Sequence, residues 1–141
     1  MFWWIFACTG TKDIDSGSED EVYCNPSTEA FPLLPAAPRT QIHPDVASDG
    51  RHVWLAYNLP NDNNQFDVFL AAFNCDGSVF QESKQVLAIE GLNQTTPRIA
   101  VAGDRVMVAS QADSGTGANN LSIHLYVQTL EGDIVTEQQW N

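Results

Sequence analysis

Basic residues are scarce: six Lys and Arg stand against 18 Asp and Glu in 141 residues, a formal charge of −12. The six (Lys12, Arg39, Arg51, Lys84, Arg98 and Arg105) are scattered, so no patch offsets repulsion from a phosphate backbone, and nucleic acid is not an expected partner. Long apolar runs are missing as well. No window approaches the roughly 20 apolar residues that a transmembrane helix needs, and no segment carries helical periodicity. Metal and nucleophile signatures are absent too. His43, His52 and His124 are isolated, with no His-x-x-x-His or Cys-x-x-Cys, and read as surface or strand-edge groups. No G-x-S-x-G elbow occurs. Ser114-Gly115-Thr116-Gly117-Ala118 lacks the third glycine and following helix of a phosphate cradle. No catalytic residue and no metal site is assigned. What remains, at 43% apolar, is enough for one globular domain.

The chain divides into three parts. Residues 1–8 are almost wholly apolar and end Ile5-Phe6-Ala7-Cys8. Residues 9–39 form a linker. Positions 9–30 hold six acids and few aliphatic side chains, a composition expected to be disordered, and Pro32, Pro35 and Pro38 at three-residue spacing favour an extended spacer. Residues 40–141 carry alternating apolar strands. With Cys8 set apart, Cys24 and Cys75 remain as an even pair for a possible disulfide, whose loop of about 50 residues would stabilise by roughly 4 kcal/mol. The alternative is that Cys75 packs as a small hydrophobe, since Leu130 takes its place in the second repeat.

That repeat organises the domain. Pro44 to Asn58 lies over Pro97 to Gln111 at a shift of 53, matching Val46/Ile99, Ala47/Ala100, Gly50/Gly103, Val53/Val106 and Leu55/Val108. Asp67 to Phe80 lies over Ser122 to Val135 at a shift of 55, matching Val68/Ile123, Leu70/Leu125 and Gly77/Gly132. Two units, about 44–96 and 97–141, each read as four strands. Pro44 and Pro97 are placed at strand starts, with turns at Gly50, Asp76-Gly77, Gly103 and Glu131-Gly132. The expected fold is all-β: two consecutive four-stranded antiparallel propeller-like blades, an incomplete propeller. Val53 to Tyr57 is apolar on both faces, as a sheet covered on both sides requires, which places Trp54 and Tyr57 in the core. The alternation of Leu121, Ile123, Leu125 and Val127 against Ser122, His124, Tyr126 and Gln128 assigns the polar row to an outer face.

Two resemblances follow. The MFWWIFAC terminus resembles a bacterial lipoprotein signal, with Ile5, Phe6 and Ala7 where the lipobox puts aliphatic, variable and small residues. It implies an acylated Cys8, a lipid bilayer as partner, and an outer-membrane lipoprotein of the cell envelope facing periplasm or cell surface. The pattern P-x-[VI]-A-x-x-G, apolar strand, loop, apolar strand and D/E-G resembles the degenerate blades of bacterial exported β-propeller lipoproteins. Neither the Asp-box nor the WD40 signature is present. Two blades cannot close a ring of the usual 4–8, so missing repeats or self-association would cover the blade faces, or the two units pack together as a small open domain. Rings built from two-blade subunits, as in certain bacterial lectins, are similar in outline.

The loops between second and third strands, carrying Asn61, Asp62, Asn63 and Asn64 in one unit and Asp113, Asn119 and Asn120 in the other, are the candidate ligand loops. Their amide and carboxylate oxygens suit a sugar or calcium; equally, Asn and Asp are turn formers. The functional expectation is a non-catalytic, envelope-anchored binding or scaffold module for a glycan or protein. The alternative is a fragment of a larger β-propeller hydrolase whose catalytic residues lie outside this chain.

Overall fold

The computed structural model describes the side chains of residues 42–113 and 121–138, and the backbone alone of residues 5–8, 26–31 and 139–140. Within these the chain is all-β. Its strands are β1 (Ile5–Cys8), β2 (Pro26–Phe31), β3 (Ile42–Ser48), β4 (His52–Pro60), β5 (Phe66–Asn74), β6 (Val79–Leu87), β7 (Asn93–Ala102), β8 (Arg105–Asp113), β9 (Leu121–Thr129) and β10 (Ile134–Trp140). β1 pairs antiparallel with β2, so residues 26–31 of the linker form a strand. The rest of 9–39 lies outside the described residues.

β3 to β6 form one four-stranded antiparallel meander and β7 to β10 a second. These are two consecutive propeller-like blades, unclosed. Their third turns superpose bond for bond at the repeat shift of 55. Asn74 N donates to Ser78 O (2.8 Å) and Gly77 N to Asn74 O (2.9 Å), as Thr129 N does to Asp133 O (2.9 Å) and Gly132 N to Thr129 O (3.1 Å). Gly77 (φ 83°) and Gly132 (φ 98°) take the left-handed backbone these turns demand.

The prolines are not at strand starts. Pro44 lies inside β3 and Pro97 inside β7, each where pairing with the next strand skips, between Ile42 and Asp45 and between Thr95 and Arg98. A residue without an N–H cannot join a ladder, and the bulge removes the need for it. The residues before them, His43 (φ 49°) and Thr96 (φ 46°), both turn left-handed, so the same kink occurs in both units.

The blades stack through one face of each. Trp54, Ala56, Val68, Leu70, Ala72, Val86 and Leu87 of the first meet Val106, Val108 and Tyr126 of the second, with Ile99, Val101 and Leu130 at the margin. Asp45 of β3 accepts from the Ile99 backbone N–H of β7 at 2.9 Å. The opposite face of the first blade, Leu55, Tyr57, Ala71 and Phe73, is also buried, as its two-sided apolar pattern implies. Trp54 is fixed from the first turn. Asp49 accepts from its indole Nε1 (3.2 Å), from the Arg51 and His52 backbone N–H groups (2.8 and 2.6 Å), and pairs with His52 Nδ1 (2.8 Å). Burial raises the Asp49 carboxyl pKa, but these bonds outweigh it and hold the group below the usual range. The second unit has Ala102 at that position and lacks the clasp.

The faces of β9 are reversed from the sequence expectation. Ser122, His124, Tyr126 and Gln128 point toward the first blade and are buried, whereas Leu121 (53% exposed) and Ile123 (48%) point out. The polar row is tolerated inside because hydroxyl, imidazole and amide groups pair with one another and with amides of the first blade. This orientation is tested by truncation on each side. Leu70→Ala should cost about 2–5 kcal/mol in denaturant unfolding, and Ile123→Ser, measured on the dissociated chain, no more than about 0.5 kcal/mol; comparable costs there would reverse the faces again.

Candidate functional site

The Asn-rich loop between β4 and β5 is a turn held by its own first residue. Asn61 Oδ1 accepts from the Asn63 and Gln65 N–H groups (2.9 and 3.0 Å), and Asn61 Nδ2 donates to Asp67 Oδ2 (3.2 Å). Asn64, at φ 59°, completes the reversal. Asp62, Asn63 and Asn64 stay exposed at the tip. Asp113 ends β8, level with Asn93 and Leu121. Asn119 and Asn120 lie outside the described residues. Cys75 is disulfide-bonded; the other two cysteines are Cys8, whose side chain is outside the described set, and Cys24, which is outside it altogether. Among the described residues no three His, Cys, Asp or Glu converge to hold a metal ion.

A polar seam runs instead between the blades. Asn58, fully buried at the end of β4, donates from Nδ2 to the Gln94 carbonyl (2.7 Å) and the Asp67 carbonyl (3.3 Å). Ser110 Oγ donates to Gln94 Oε1 (2.5 Å). Ser122 Oγ and His124 Nε2 share a hydrogen bond of 2.8 Å. Tyr126 OH donates to Gln128 Oε1 (3.0 Å), whose Nε2 reaches Gln81 Oε1 of the first blade (2.8 Å). Asn58 Oδ1, Gln81 Nε2 and Gln94 Nε2 are buried without a hydrogen-bond partner. An orphaned buried polar group costs about 1–3 kcal/mol, so the seam is the least satisfied part of the core.

The seam opens into a cleft of about 360 Å³ between the end of β6 and the outer strands of the second blade. One wall is residues 85–89, mostly aliphatic; the other is His124, Glu137 and Gln138. His124 is 3% exposed, and burial lowers its pKa, favouring the neutral ring. Neither a surface nor a strand-edge residue, it joins the seam to the cleft. Ser122 and His124 have the separation of a nucleophile and a base, yet Ser122 does not line the cleft, and no carboxylate is bonded to the ring among the described residues. The arrangement is suited to holding a ligand. Asp67 ties the Asn61 turn to this region, accepting from Gln85 Nε2 at 2.7 Å, and its burial raises its pKa against the two amide bonds it receives.

Sequence reading misses the cleft because its walls lie some 35–50 positions apart and share no motif; the polar row of β9 is the one local signal. His124 makes stability pH-dependent. An unfolded His protonates near 6.5, before the depressed folded group, so the unfolded state binds more protons and stability falls as pH drops below about 6.5. His124→Gln should flatten the wild-type decline of denaturant midpoint between pH 7.5 and 5.5; equal slopes would place the ring in solvent. No protein-family model, curated protein or solved structure matches the chain, so its function is argued from these residues.

Proposed function

We propose that this chain is a non-catalytic binding or scaffold module of the bacterial envelope: an exported lipoprotein, acylated at Cys8 once residues 1–7, and with them most of β1, are removed, that presents a pair of propeller-like blades to a glycan or protein. The observation that carries this reading is the uncovered second blade. Its outward row, with Leu121 and Ile123 about half exposed, is the kind of flank that a neighbouring sheet covers. The polar seam supports binding over catalysis, since its hydroxyls and imidazole are engaged within the seam rather than aimed at a reacting atom.

Self-association supplies the missing cover. Sedimentation of the folded domain should return at least a dimer, because a closed ring takes about 4–8 blades; a compact monomer at high concentration would exclude the ring. Lipidation makes a separate demand on the thiols. If Cys8 is acylated, the disulfide of Cys75 is left with Cys24 as its partner. Non-reducing peptide mapping should therefore join the peptides of Cys24 and Cys75, and a bond between Cys8 and Cys75 would end the lipoprotein reading.

A further inference from the structure

The sheet edges are treated unequally. β3 and β7 face each other across the stack, joined by Asp45 and Ile99. β6 has three register shifts against β5 and carries Glu82 and Lys84, devices that spoil an edge for further pairing. β10 is at the outer end of its sheet, and no described strand pairs its free side. It has a single register shift, near Ile134, no proline and no lysine, and its Ile134 (62%) and Val135 (48%) are exposed. Glu137 and Gln138 of this same strand form a wall of the cleft.

Charge selects what fits. From Val106 to Asn141 the chain has no Lys or Arg but has Asp113, Glu131, Asp133 and Glu137. Among the described residues no basic side chain pairs with Glu137. Lys84 of the first blade lies over the Tyr126 ring at 5.7 Å and donates to the Gly132 carbonyl at 3.4 Å. A symmetric pairing of two β10 strands about Glu137 would set like charges opposite each other, which disfavours a second copy.

Resting on the binding-module reading and naming its partner, we propose that β10 and the adjoining cleft dock an extended peptide segment bearing a Lys or Arg. The segment adds as a fifth strand to the second blade. Its side chain level with Glu137 continues the row Val108, Tyr126, Glu137 on the cleft side. There the aliphatic stem lies along residues 86–89 and the cationic head meets the Glu137 carboxylate. Strand pairing gives affinity and the carboxylate gives selection.

The test is fluorescence anisotropy of the full chain at low salt with a labelled heptapeptide, Thr-Val-Thr-Lys-Thr-Val-Thr, against versions with Glu or norleucine at the centre. The Lys peptide should bind about tenfold tighter than the Glu peptide, with norleucine between them. Glu137→Gln should erase that order and Glu137→Lys reverse it; because the site is exposed, both should fold, as circular dichroism would verify. N-methylation of alternate peptide amides should abolish binding in one phase and spare it in the other. Equal affinity for Lys and Glu peptides, an order indifferent to Glu137, or N-methyl effects without phase would overturn the proposal. A dimer joined through β10 would overturn it in favour of a second copy. Oligomerisation through the face of Leu121 and Ile123, and the disulfide map, stand or fall separately.

Discussion

The contact between the two blades is the constraint on which the rest depends. Each sheet is a meander of hairpins whose local bonds do not by themselves exclude water from an apolar face. Stacking joins Trp54, Leu70 and Val68 to Val108 and Tyr126, and this desolvation sets which side of β8 and β9 faces the first blade. Asp49 and Asp45 act in its service, one holding the indole at the start of β4 and the other bonding the first strand of one unit to the first strand of the next.

Polar residues at the same interface follow from the stack rather than opposing it. Once the blades are pressed together, a side chain such as Asn58 or Gln128 is kept by finding partners across the seam. Where they fall short, as at Asn58 Oδ1 and Gln94 Nε2, the structure gives up stability. The cleft lies at the end of this imperfectly matched line, and the lowered basicity of its imidazole is a by-product of the same burial.

Much of the architecture was readable because duplication displays itself twice. The shifts of 53 and 55 located both meanders, Gly77 and Gly132 marked equivalent turns, and the two-sided apolar run of Val53 to Tyr57 announced a covered sheet. Alternation fixes that two rows differ, however, and not which one is inside. On β9 the usual assumption of apolar-in fails because the polar row pairs within itself and, through Gln128, with Gln81 of the first blade, which no linear pattern reveals. Pro44 and Pro97 mislead in a related way: proline excludes a ladder bond, which a strand can meet by beginning there or by bulging there. Asn61 is both oxygen-rich and turn-forming in the sequence, and its hydrogen bonds show the turn role in use.

The shared kinks at His43-Pro44 and Thr96-Pro97 also bear on how large an assembly of this chain can grow. They interrupt the first strand of each unit, making the inner rim a poor template for any incoming backbone. Strand addition is thereby disfavoured along β3 and β7. A margin that cannot be lengthened strand upon strand guards that side of the stack against open-ended fibres.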